Sequence, residues 1–378
     1  MTGLLPLKLL RFLLIACTTV VTLTACGVFF RPDPGIGKPV GWSELGGWDK
    51  DRISQVWQAL QAQCPRMSSG DEQWATICEE LAVNATPSDA AAREFLQRHF
   101  VPHRVNSKTG KPEGLITGYY EPILNGSLTK TETYQYPVYS RPEEMFTVEL
   151  AGLYPDLKGM RLRGRIDGNK LVPFHSREVI DGEQQPLQGQ ELLWIDDPYG
   201  SFFLQIQGSG KVRLADNTVV GLDYADQNGH PYFAIGKKLV EIGAIDLADV
   251  SLFTIREWLD NNPERADEIL NTNPSYVFFN LREDVDEGPR GSLNVPLTAE
   301  RSVAVDRTVI PLGTPVWLDT TLPDGSEYQR LMVAQDTGGA IRGAVRADVF
   351  FGTGEGARRL AGEMKQKGRL FALLPLEK

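Results

Sequence analysis

Apolar residues recur at helical spacing through Trp57, Leu60 and Cys64, inside a stretch from about Trp48 to Phe100 that reads as helical. Ser88 and Asp89 precede Ala90 to Phe100 as an N-cap would. At Gly114 the texture changes to short β-rich runs, Leu115 to Tyr120, Pro137 to Ser140, Leu193 to Ile195 and Phe202 to Ile206, broken by glycines and prolines. Helical patterning returns at Tyr232 to Ile242 and Leu252 to Asn261. Beyond Asn273-Pro274 five strand candidates follow closely: Pro296-Leu297, Val303 to Asp306, Val316 to Leu318, Leu331 to Asp336 and Arg346 to Phe351. That density is expected of a small barrel. With 378 residues, 42% of them hydrophobic, the chain is neither disordered nor fibrous. It also exceeds what one hydrophobic core organises, so two domains are expected.

The N-terminus has a different pattern. Lys8 and Arg11 precede an apolar stretch, Phe12 to Ala25, that closes on Leu23-Thr24-Ala25-Cys26, which describes an export signal over residues 1–25. A retained membrane helix is the alternative, because the uncharged run Phe12 to Phe30 approaches the spanning length of about 20 residues. Four threonines dilute that run. Residues 26–47, with Pro32, Pro34 and Pro39, read as a tether. The chain carries 39 basic and 49 acidic side chains, a net −10 that falls to −12 without Lys8 and Arg11. Nucleic acid is thereby excluded as a partner class. Cys64 and Cys78 are the cysteines of the folded part, either disulfide-bonded, as suits an exported protein, or two buried thiols. His99 and His103 have helical spacing, but Pro102 interrupts the turn; they, His175 and His230 read as structural. No metal or organic cofactor is expected.

Three of the C-terminal strand candidates carry an aspartate among apolar neighbours: Asp306, Asp336 and Asp348. A carboxylate in such a segment is costly unless it is paired or hydrogen-bonded. Asp336 opens Asp336-Thr337-Gly338-Gly339, where the glycines leave the backbone open to a ligand; a plain turn with an aspartate cap is the alternative. Asp348 lies in Ala347-Asp348-Val349-Phe350-Phe351, surroundings that raise a carboxyl pKa and keep a general acid protonated. Gly208-Ser209-Gly210-Lys211 lacks the upstream glycine of a phosphate loop, and no Gly-x-Ser-x-Gly elbow is present.

Four stretches taken in order resemble the membrane-bound lytic murein transglycosylase A family: Gly118-Tyr119-Tyr120-Glu121-Pro122; Trp194 to Pro198 leading to Gln205-Ile206-Gln207-Gly208-Ser209-Gly210; Asn273 to Phe279; and the three aspartates. The resemblance implies a mainly β protein with N-terminal helices, a double-psi β-barrel domain (residues 48–140 and 275–378) and a second β domain inserted at 141–274, with a large cleft between them. It implies a peptidoglycan glycan strand as substrate, cut between N-acetylmuramic acid and N-acetylglucosamine without water. Asp348 matches the catalytic residue and Asp336 the supporting one, while Asp306 is expected to serve barrel closure. Arg346-Ala347 departs from the aromatic or histidine that the family often carries before that aspartate. Tyr119, Gln205, Gln207, Ser209, Thr337, Gly338 and Gly339 are candidate sugar contacts; for Gln205 and Gln207, alternate residues of an expected strand, a merely solvated face is equally open. Leu23 to Cys26 resembles a lipoprotein lipobox, which implies lipidation at Cys26, and Gly27 points to the outer membrane, facing the periplasm. Cell-wall synthesis proteins are further partners that the resemblance suggests. A hydrolytic muramidase and a non-catalytic wall-binding lipoprotein remain as alternatives.

Overall fold

The computed structural model describes residues 34–83, 86–160 and 162–376; the expected signal and Cys26 lie outside the described residues. β1 (Gly35–Pro39) leads to helices α1 (Trp57–Met67), α2 (Glu72–Val83) and α3 (Asp89–His99), then to β2 (Phe100–Asn106) and β3 (Glu113–Glu121). The Ser88 hydroxyl accepts the Ala91 amide and caps α3. Cys64 and Cys78 form a disulfide joining α1 to α2.

Past Pro122 come β4 (Ile123–Ser127), β5 (Tyr136–Tyr139), β6 (Phe146–Thr147), β7 (Arg163–Asp167), β8 (Lys170–Pro173), α4 (Arg177–Asp181), β9 (Glu191–Ile195), α5 (Gly200–Gln207), β10 (Ser209–Leu214) and β11 (Val219–Gln227). Helices α6 (Ile235–Glu241), α7 (Leu252–Asn261) and α8 (Pro263–Leu270) follow, then β12 (Val277–Arg282). The C-terminal part supplies β13 (Ser302–Val305), β14 (Pro315–Thr321), β15 (Glu327–Asp336), β16 (Arg346–Thr353), α9 (Glu355–Glu363) and β17 (Lys365–Pro375).

One sheet runs β1-β2-β17-β14-β15-β13-β16-β3, and β3 also pairs with β17, so six of its strands close into a ring. Inside lie Ile116, Val303, Val305, Val316, Leu318, Met332, Ala347, Val349, Leu370 and Ala372. The intervening Trp317, Leu331, Val333, Phe371 and Leu373 point outward and pack under α1 to α3 with Trp57, Leu60 and Phe95. Burial on both faces explains why β14, β15 and β17 contain continuous apolar runs rather than an alternation. The Arg301 guanidinium donates to both carboxylate oxygens of Asp51 at 2.8 Å and pins the helical layer to the ring. A second sheet runs β12-β11-β10-β4-β9-β5, and β6-β7-β8 form a third.

Several expectations change. Phe202 to Ile206 is not a strand but the body of α5, closed by Gly208 at φ +83. Its aromatic run suggested β structure, but Phe202 and Leu204 are drawn into two different cores, and the glycine C-cap was the local signal. Pro296 makes only an isolated bridge to Arg290. α9 and β17 were not distinguished, because Lys365, Lys367 and Arg369 hide the apolar half of β17. Strands leave the first sheet at Pro122 and return after Arg282, whereas the expected switches fell at 140/141 and 274/275; a β-rich texture does not tell which sheet a strand joins.

Candidate active site

The register of three neighbouring strands assembles the site. On β13, Ala304 pairs with Asp348 of β16 on one side and Asp336 of β15 on the other. The two aspartates are thus two strand spacings apart, about 10 Å at the backbone. A small residue between them keeps the surface open. On its far side β16 pairs with β3, where Thr117 stands opposite Asp348.

The two carboxyl groups have different surroundings. Asp336 Oδ1 accepts the Ser292 amide and hydroxyl, both at 2.9 Å, and the Thr337 amide at 2.8 Å, while Oδ2 accepts the Tyr119 hydroxyl at 2.9 Å. Four donors and no acceptor suit an anion. Among the described residues one side chain donates to the Asp348 carboxyl, Thr117 through Oγ1 at 2.5 Å. Burial pushes the Asp348 carboxyl above the ordinary carboxylate range; the Arg346 charge and the Thr117 hydroxyl oppose it, and the charge of Asp336 adds to it. Burial also raises Asp336, against the four donors. The donors distinguish the two groups: four favour the ionised form of Asp336, and one favours that of Asp348.

Tyr119 is 8% exposed, its ring packs on Phe350 at 5.3 Å, and burial together with the charge of Asp336 raises its pKa well above the usual value, so it stays a donor. It holds Asp336 rather than presenting its hydroxyl outward. Thr337, Gly338 and Gly339 form the turn after β15, where Gly339 approaches Tyr232: a Cβ built there would lie 3.6 Å from the Tyr232 Cβ. Burial and the charge of Asp348 raise the Tyr232 phenol pKa. The other candidates sit elsewhere. Gln205, buried on α5, accepts Arg177 Nη2 at 2.5 Å and the Val277 amide at 3.3 Å, so its carboxamide is bound within the second body. Gln207 accepts the Tyr120 amide at 3.0 Å and lines a mainly apolar cavity of about 340 Å³ that also includes Thr117 and Tyr232. Ser209 is buried at the start of β10. Burial alone would raise Asp306, but the Gly343 amide and the Thr308 hydroxyl and amide hold its carboxyl below the ordinary range, tying two loops of the ring.

Sequence reasoning missed Thr117, Ser292 and Tyr232 as neighbours of the aspartates. Thr117 lies two residues before Tyr119 on the same strand face, a period that could have found it. Ser292 and Tyr232 carry no local signal. No group of three or more metal-ligating side chains occurs among the described residues.

Residues 115–280 match the family model described as the MltA specific insert domain, and residues 301–374 match the 3D domain. The solved MltA from Neisseria gonorrhoeae superposes with a TM-score of 0.75 at 32% identity, over 91% of this chain and 96% of that one. The chain belongs to the membrane-bound lytic murein transglycosylase A family. The family member named membrane-bound lytic murein transglycosylase A in Vibrio cholerae is 31% identical over 267 residues, 68% of this chain and 65% of that protein's length. Escherichia coli MltA with bound chitohexaose superposes with a TM-score of 0.65 at 26% identity over 92% of this chain and 93% of that one. Asp306, Asp336 and Asp348 fall in the second matched stretch and Thr117 and Tyr119 in the first, whereas Ser292 lies between the two. No described helix is long and apolar enough to cross a membrane.

Proposed function

We propose that this chain is a peptidoglycan lytic transglycosylase in which Asp348 acts first as acid and then as base. The observation that carries the reading is the pair of half-buried aspartates with opposite hydrogen-bonding: one held by four donors, the other by one. Asp348 gives its proton to the glycosidic oxygen between N-acetylmuramic acid and N-acetylglucosamine, and the bond from that oxygen to C1 of the muramic residue breaks. The 6-hydroxyl of the same residue attacks C1, and its proton passes to the Asp348 carboxylate. The product carries a 1,6-anhydromuramic end, no water is consumed, and Asp348 is again protonated. An intramolecular nucleophile has a high effective concentration, so one acid/base group suffices. The anionic Asp336 keeps the Asp348 proton in place between turnovers.

A hydrolytic muramidase would need a second carboxylate free to act as base or nucleophile. Asp336, with all four donors engaged, is poorly suited to that. In this reading the ring is a double-psi barrel, the body from β4 to β12 is the inserted domain, and the glycan lies in a cleft between them past Thr337 to Gly339 and Tyr232. The chitohexaose bound by the Escherichia coli relative supports a glycan ligand. Lipidation at Cys26, anchoring in the outer membrane facing the periplasm, and contact with cell-wall synthesis proteins belong to the same proposal.

The test is mass spectrometry of soluble muropeptides released from purified peptidoglycan by the protein lacking residues 1–26, beside Asp348→Asn. Anhydro-ended products that vanish in the variant are expected. Reducing ends would establish hydrolysis instead, and equal release by both proteins would remove Asp348 from the chemistry.

A further inference from the structure

Glu121, the last residue of β3, is a fully buried carboxylate whose partners come from both bodies of the chain. Arg282 Nη2, at the end of β12, donates to its Oε1 at 2.5 Å, and the Thr353 hydroxyl, at the end of β16, donates to its Oε2 at 2.8 Å. Lys211 of β10 stands 3.6 Å from Oε2, and Asp223 completes the group 3.1 Å from Arg282 Nε. Two acids and two bases leave the cluster neutral. The chain leaves the ring at Pro122, beside Glu121, and starts back just past Arg282, so one carboxylate fastens both crossings.

Each tied segment also carries a part of the site. β3 holds Thr117 and Tyr119, which donate to Asp348 and Asp336. β16 holds Asp348 itself. The returning segment after Arg282 is held where Lys211 Nζ donates to the Val285 carbonyl at 2.6 Å and Arg282 Nη1 donates to the Glu287 carbonyl at 2.5 Å; five residues later it delivers Ser292 to Asp336. We propose that Glu121 is a positioning residue: it fixes the three segments whose side chains set the hydrogen bonds, and so the proton affinities, of Asp336 and Asp348. Fully buried, it offers no surface to a glycan. Its consequence for catalysis rests on the function proposed above.

The test is an NMR titration of the Asp336 and Asp348 side-chain carboxyls in the wild type, Glu121→Gln and Thr353→Val, with pH profiles of turnover alongside. A Cys64→Ser, Cys78→Ser double variant serves as a control destabilised in the helical layer. In Glu121→Gln at least one aspartate is expected to shift by about half a unit or more, a threefold change in its proton equilibrium. Turnover should fall about tenfold or more with KM little changed, as small misplacements of reacting groups do. Thr353→Val, which removes only the β16 tie, should move the same aspartate in the same direction by less. Titrations that superimpose on the wild type in both variants would overturn the proposal, as would an equal shift in the cysteine control. Should Glu121→Gln fail to fold, an unmoved titration in Thr353→Val overturns it alone. Wild-type protein that releases no anhydro-ended products counts against the functional reading only, because the carboxyl titration reads the clasp without turnover.

Discussion

Thr117→Val removes the one hydrogen bond that Asp348 receives from a side chain among the described residues while preserving side-chain shape. A hydrogen bond to a charged group is worth about 1.5–3 kcal/mol net, and each pKa unit corresponds to about 1.4 kcal/mol, so losing this donor raises the Asp348 pKa by about one to two units. The sign follows from which form is stabilised. The hydroxyl donates to the carboxylate, so its loss disfavours the charged form and the proton is held to higher pH. The active acid is the protonated form, and the falling limb of kcat/KM against pH should therefore move upward by about one to two units, with a lower plateau because the acid is weaker. The assay is the rate of release of anhydro-ended muropeptides between about pH 4 and pH 9, with melting curves to establish folding and Thr117→Ser as the variant that keeps the donor. A limb that stays in place in a folded Thr117→Val, or one that moves downward, would refute the assignment of Asp348 as the proton donor held by Thr117.

Other outcomes follow from the same geometry. The Asp348 carboxyl is raised by burial, so the folded chain keeps a proton that the unfolded chain loses above the ordinary carboxylate value; stability falls as pH rises through the window between those two values. Asp348→Asn should accordingly raise the melting temperature at neutral pH and flatten its dependence on pH in that window while abolishing product release, and an unchanged or lower melting temperature contradicts the burial argument. Removing the Cys64–Cys78 link, which closes a 14-residue separation, should cost about 3 kcal/mol by chain entropy, measured as a lower urea midpoint for the Cys64→Ser, Cys78→Ser variant. Trp317 is fully buried between the ring and the N-terminal helices, and Trp317→Ala should cost about 3–5 kcal/mol in the same urea titration.

The N-terminal helices were legible because a helix is a local structure: Trp57, Leu60 and Cys64 mark the inward stripe, and Ser88 supplies the cap within three residues of the amide it accepts. The strands carrying the aspartates were legible because apolar runs bounded by glycine survive in any tertiary context. α5 was misread for the opposite reason. Its apolar residues face two separate cores, so its pattern matches no single period, and only Gly208 marked its end.

The sequence alone determined the N-terminal helices, most of the strands, the family and the candidacy of Asp306, Asp336 and Asp348. Each is written in neighbouring residues or in motifs taken in order. Which side chains meet those aspartates was decided by tertiary structure. Thr117 reaches Asp348 across 231 positions, Tyr119 reaches Asp336 across 217, and Arg282 reaches Glu121 across 161. Such pairs exist because β16 lies beside β3 in one register and β13 separates β15 from β16 by a single small residue. A shift of one residue would turn every side chain to the opposite face. Strand pairing over such separations is set by which arrangement buries both faces of the ring and satisfies its polar groups, a condition on the whole chain that no local window of sequence contains.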